Sequence, residues 1–74
     1  MVRLSAAARQ AGVTPQQLQY YLMVGLMKPT TQSRGGQRLF DHRAVRRIGM
    51  IRLLNESGYP LREIRDIFIA GRDE

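Results

Sequence analysis

No cysteine occurs among the 74 residues, so neither a disulfide nor a thiolate-bound zinc can staple the fold. The chain has a single histidine, His42, which stands beside Asp41 with no arrangement of nucleophile and base around it. Enzyme chemistry is therefore not expected, and neither a metal cluster nor a cofactor site is legible. Long hydrophobic runs are also missing. The stretch from Tyr20 to Met27 is interrupted by Gly25 and falls well short of the roughly 18 apolar residues that a bilayer crossing needs, so it reads as core. No signal-peptide pattern follows Met1, which places the chain among soluble cytoplasmic proteins with no membrane partner. One domain over 1–74 is expected. A domain this small hides only about 60% of the surface its unfolded chain exposes, which leaves its stability marginal.

Acids are scarce where bases are dense. Residues 1–55 hold Arg3, Arg9, Lys28, Arg34, Arg38, Arg43, Arg46, Arg47 and Arg52 against Asp41 alone, a balance of +8. Residues 56–74 hold Glu56, Glu63, Asp66, Asp73 and Glu74 against Arg62, Arg65 and Arg72, a balance of −2 that brings the total to +6. A concentrated positive field favours polyanions, either nucleic acid or an anionic membrane surface. The plainer alternative is that the charge only keeps a small domain soluble.

The pattern that is present reads as mainly helical. Leu4 to Gly12 forms a short helix with Ser5 as its N-cap and Gly12 as its stop. Thr14 caps a second helix, Pro15 suits its first position, and the helix runs to about Val24 before Gly25. Two helices joined by a tight Gly12-Val13 turn have the geometry of a helix-turn-helix over about 5–24. Ala8 is small enough to let them cross, and Val13 and Leu18 fill the space between them. A generic helical hairpin is the competing reading.

Residues 28–40 are polar, glycine-bearing and free of acids; Gly35-Gly36 before Gln37-Arg38-Leu39-Phe40 predicts a β-hairpin with Leu39 on one face and Arg38 and Phe40 on the other. Such a hairpin is a wing. Asp41 then caps a helix over about 42–57, with Val45, Ile48, Ile51 and Leu54 at three-residue spacing, supplemented by Ala44, Met50 and Leu53. Its other face holds Arg43, Arg46, Arg47 and Arg52. After Gly58, Tyr59-Pro60 turns the chain, and Leu61, Ile64, Ile67 and Phe68 stripe a last helix over about 61–70, with Gly71 and Arg72-Asp73-Glu74 frayed. The fold class is a winged helix-turn-helix followed by two further helices.

Five stretches, Ala11-Gly12-Val13-Thr14, Leu18-Gln19-Tyr20-Tyr21, Gly25-Leu26-Met27-Lys28-Pro29, Gly36-Gln37-Arg38-Leu39-Phe40 and Gly58-Tyr59-Pro60-Leu61-Arg62-Glu63-Ile64, occur in this order within a pattern that covers Leu4 to about Phe68. As a set they resemble the MerR family of bacterial transcription regulators. The resemblance implies that the helix from Thr14 enters the major groove, that the tyrosine pair and the wing arginine grip phosphate, and that the wing flanks the groove. It points to Tyr21 as the phosphate contact, its ring still packed. The chain departs from the family pattern at several positions. Gln16 replaces a basic residue, Gln19 an arginine and Leu22 an acid, while Gln37 and Phe40 replace the wing tyrosine and Pro60 a capping serine.

Candidate DNA contacts follow. Thr14, Gln16, Gln17, Gln19 and Tyr20 are the polar positions of the recognition helix, and a glutamine can bridge N6 and N7 of adenine; the alternative is that the glutamines are solvated helix formers. Adjacent helical positions do not share a face, so one of Tyr20 and Tyr21 is expected to be partly core. Arg34 and Arg38, with Gly36 and Lys28, make the wing's contribution to phosphate or the minor groove. Arg43, Arg46 and Arg47 open the third helix, where the macrodipole disfavours cations, so an external anion is expected to compensate them unless they are merely a solvated face.

The expected partner is double-stranded DNA, with RNA polymerase or another protein as a second, and the expected place of work is the nucleoid. In isolation the chain is expected to be largely monomeric, with a dimer or a cooperative array open on DNA. Two alternatives remain at this point: an architectural protein of the excisionase type that bends DNA, and a module whose wing and third helix dock an acidic protein.

Overall fold

The computed structural model describes residues 1–71, with side-chain environments through Ile67. The elements are β1 (Val2–Arg3), α1 (Leu4–Ala11), α2 (Pro15–Met23), β2 (Thr31–Gln32), β3 (Arg38–Phe40), α3 (His42–Glu56) and α4 (Leu61–Gly71). The three strands form one antiparallel sheet in the order β1-β3-β2. Val2 pairs with Phe40 and Arg3 with Leu39, while Thr31 pairs with Leu39 and Gln32 with Arg38. The wing thus has an N-terminal strand that two residues of sequence do not announce.

That strand corrects the expected start of α1. Ser5 is not the cap; the N-cap is Arg3, extended at φ −81° and ψ 173°, with no side-chain cap. Pairing with β3 holds Arg3 in the sheet, so the helix begins directly where the strand ends. Its far end behaves as expected: Gly12 adopts φ 82° and donates its N–H to the Ala8 and Arg9 carbonyls. Thr14 caps α2 and Pro15 stands at its start, also as expected.

The core is aliphatic. Ala7 and Ala8 are fully buried, which lets α1 approach α2 and α3 closely, and Val13 and Leu18 are buried beside them. Phe40, Leu18, Ile48, Ile51 and Ile64 are the largest fully buried side chains, so β3, α2, α3 and α4 each contribute to one cluster. Full burial of side chains of this size stabilises by about 1.5–3 kcal/mol each before entropy is counted.

Several expectations about faces are corrected. Phe40 does not share the environment of Arg38: along β3 exposure falls from Arg38 through Leu39 to Phe40, which is buried. Alternation applies to a sheet covered evenly, whereas here only the end of β3 next to α3 reaches the core. Met50 and Leu53 of α3 and Ile67 of α4 are exposed, as are Tyr20 and Met23, which the run from Tyr20 to Met27 had assigned to the core. On α3 only Ile48 and Ile51 are fully buried, with Val45 and Leu54 partly so. The side chains of Phe68 and Ile69 and the whole of Arg72-Asp73-Glu74 lie outside what is described.

Candidate nucleic-acid interface

Helix α2 is fixed by a reciprocal cap. The Gln17 backbone N–H donates to Thr14 Oγ1 at 3.1 Å, and the Thr14 backbone N–H donates to Gln17 Oε1 at 2.8 Å. A capping box of this kind satisfies two amides that the helix itself leaves open. Its cost to the sequence reading is that Thr14 and Gln17 already have a task at the helix start. The outward residues left on α2 are Gln16, Gln19, Tyr20 and Met23.

The tyrosine pair divides as helical geometry requires. Tyr21 is buried in the core while Tyr20 is 46% exposed. Burial pushes the Tyr21 phenol above its ordinary pKa; Glu56 acts in the same direction and Arg52 against it.

The wing turn is closed by its own hydrogen bonds. Ser33 N–H donates to the Gln37 carbonyl at 2.8 Å, Gly36 N–H to the Ser33 carbonyl at 2.9 Å, and Gln37 N–H to Ser33 Oγ at 3.2 Å. Gly36 takes φ 83°, which makes it the turn residue the sequence required. Arg34, inside this turn, and Arg38, just after it, are both exposed. At the base of the wing the Asp41 N–H donates to Thr30 Oγ1 at 2.9 Å, locking β3 to the segment that enters β2.

Between α2 and the wing lies an open hollow of about 570 Å³ lined by Gln19, Met23, Lys28, Gln32 and Arg38, among others. A second, of about 460 Å³, is lined by Lys28 together with Arg43, Arg46, Arg47 and Met50. Lys28 and Met27 belong to both, so the uncharged side of α2 formed by Gln19 and Met23 adjoins a basic surface that Lys28, the wing and the first turns of α3 supply. Tyr20 lies away from the wing, in a smaller hollow with Val24, Leu61, Arg62 and Arg65. On the wing's other side Gly36, Gln37 and Arg38 meet Arg3 and Ser5.

The arginines at the start of α3 are not left wholly against the dipole. Asp41 Oδ1 accepts the Ala44 N–H at 2.9 Å. That bond, helped by Thr30 and the Arg43 charge, holds the Asp41 carboxyl below its ordinary pKa. A carboxylate at the N-cap offsets part of the like-charge crowding. Arg43 and Arg46 still project outward, and Arg47 is half-buried.

Arg52 departs from the expected basic face. Its Nε donates to the Gly12 carbonyl at 3.1 Å and lies 3.5 Å from Glu56 Oε2, so α3 reaches back to the turn between α1 and α2. Sequence reasoning also missed Arg3, Gln32 and Met23. The first two belong to two-residue strands with no readable period, and Met23 was masked by its apolar neighbours. Among the described residues no group of three or more His, Cys, Asp or Glu is placed to hold a metal ion, and no helix is long and apolar enough to cross a membrane.

The family description "MerR HTH family regulatory protein" matches residues 2–70. Nodulation protein NolA of Bradyrhizobium elkanii is 38% identical over 63 residues, covering 85% of this chain and 29% of that protein. The crystal structure of a MerR family transcriptional regulator from Bacillus cereus superposes with a TM-score of 0.85 at 32% identity, covering 99% of this chain and 54% of that one. HiNmlR, a MerR family regulator lacking the sensor domain and solved bound to promoter DNA, shares the fold with a TM-score of 0.79 at 22% identity, covering 88% of this chain and 52% of that one. The chain thus spans less than a third of NolA and about half of these solved regulators.

Proposed function

The chain belongs to the MerR family of helix-turn-helix regulatory proteins, and on that premise we propose that it binds double-stranded DNA sequence-specifically to regulate transcription. The observation that carries the proposal is the continuous face on which Gln19 and Met23 of α2, the wing arginine Arg38 and the arginines of α3 meet through Lys28. Helix α2 enters the major groove, where base edges present distinct donor and acceptor patterns. The wing and α3 rest on the flanking phosphates, which fix register and carry no sequence information. HiNmlR, which has the same fold, was solved bound to promoter DNA, and this supports DNA as the partner. The chain acts on the nucleoid in the cytoplasm and is monomeric in isolation; RNA polymerase or another protein is a second partner in regulation. No chemistry is required of it: the site has donors, acceptors and charge.

The test is a competition titration of a duplex selected by the chain against a scrambled duplex at one salt concentration. The selected duplex is expected to bind at least about tenfold more tightly. Arg38→Ala should weaken both by a similar factor, since a phosphate looks the same beneath every base pair. Equal affinity of the unaltered chain for the two duplexes would remove sequence-specific binding as the function.

A further inference from the structure

Helix α2 has no charged residue: Pro15–Met23 reads PQQLQYYLM. Its outward stripe is Gln16, Gln19, Tyr20 and Met23, spaced at i, i+3, i+4 and i+7, and all four are exposed. Met23, at 76% exposure, is the most solvent-accessible large apolar side chain of the helix. At about 100° per residue Gln16 and Met23 lie along the middle of the stripe, with Gln19 to one side and Tyr20 to the other. The hollows agree, since Gln19 and Met23 line the one shared with Arg38 and Tyr20 the one shared with Arg62 and Arg65. Gln17 is withdrawn, because its Oε1 accepts the Thr14 N–H.

This face is poorly matched to guanine, whose N7 and O6 are two acceptors that arginine or lysine would engage. A carboxamide instead presents one donor and one acceptor side by side, the complement of adenine N7 and the N6 amino group. An exposed thioether chain finds an apolar partner in the major groove only in the C5 methyl of thymine. We propose that α2 reads A·T pairs, with Gln16 bridging N7 and N6 of an adenine and Met23 packing on a thymine methyl. Gln16 stands in the first turn of the helix, where helix-turn-helix proteins approach base edges. Seven residues separate the two readers, about 10 Å along α2, so their base pairs lie within about three steps of each other. The inference rests on the DNA-binding reading above and narrows it to a class of site.

The experiment selects duplexes from a random library with the full chain. The best duplex is then remade with 7-deazaadenine at single adenines and uracil at single thymines. A·T pairs are expected to dominate the segment under α2. Loss of one adenine N7 should weaken binding about tenfold, and Gln16→Ala should be insensitive to that loss. Loss of one thymine methyl should weaken binding about threefold, and Met23→Ala should be insensitive to it. Both substitutions change exposed side chains, and far-UV circular dichroism verifies that the fold is retained. Selection of G·C pairs at the positions sensed by Gln16 overturns the inference while DNA binding stands. Failure of every selected duplex to outcompete scrambled DNA overturns both.

Discussion

Gly12 holds φ 82° at the turn between α1 and α2, and a Cβ built there would stand 3.1 Å from Arg52 Nε and 3.3 Å from Arg52 Cζ. Gly36 holds nearly the same angle in the wing, with nothing within 4 Å of its would-be Cβ. The pair separates backbone strain from collision. Gly36→Ala should cost only the left-handed conformation, about 1–2 kcal/mol. Gly12→Ala should cost that and also dislodge Arg52 from the Gly12 carbonyl, adding about 1 kcal/mol for a partly exposed charged hydrogen bond. Thermal unfolding of the two variants is the measurement. In the background of Arg52→Ala the excess at Gly12 should vanish, because two groups in contact do not act additively. Equal losses at the two glycines would mean that Arg52 does not brace the turn.

Among the elements, α3 has a cap whose pH dependence can be worked out. Asp41 accepts the Ala44 N–H in the folded chain, which lowers its pKa below that of the unfolded chain. Its contribution is therefore complete above the unfolded carboxylate value of about 3.9 and is lost as pH falls through the lower folded value. The melting-temperature gap between the unaltered chain and Asp41→Ala should stay constant near neutrality and narrow below about pH 4. A gap that widened on acidification would contradict the cap. This cap was legible in the sequence, as were Thr14, Pro15 and Gly12, because each helix terminus needs a residue type for a local reason. The two-residue strand β1 was not legible, nor was the burial of Phe40 beside an exposed Arg38, since so short a strand has no period and its cover comes from helices distant in sequence. Within the candidate site, the exposed glutamines and wing arginines could be read from polarity alone. The withdrawal of Gln17 into the capping box, the separate hollow of Tyr20 and the tie of Arg52 to the turn depend on three-dimensional placement.

At the scale of the whole molecule, charge and readout are assigned to different parts, and this makes salt the sharpest probe. Helix α2 is uncharged, so on the proposed reading the cationic phosphate contacts are expected from Lys28, the wing arginines Arg34 and Arg38, and the outward Arg43 and Arg46 of α3. About five such contacts give a slope of log K against log salt of roughly −4.5 on duplex DNA. Arg52 is not counted, since its guanidinium is engaged by Gly12 and Glu56. Arg38→Ala should flatten the slope by about 0.9, the share of one released counterion. Gln16→Ala should lower affinity for the selected duplex and leave the slope where it was, because a neutral carboxamide releases no counterion. Arg52→Ala should likewise leave the slope unchanged while lowering thermal stability. Binding isotherms at four or five salt concentrations read all three variants on one plot. A slope that flattens with Arg52→Ala, or does not move with Arg38→Ala, would place the phosphate face somewhere other than the wing and the start of α3.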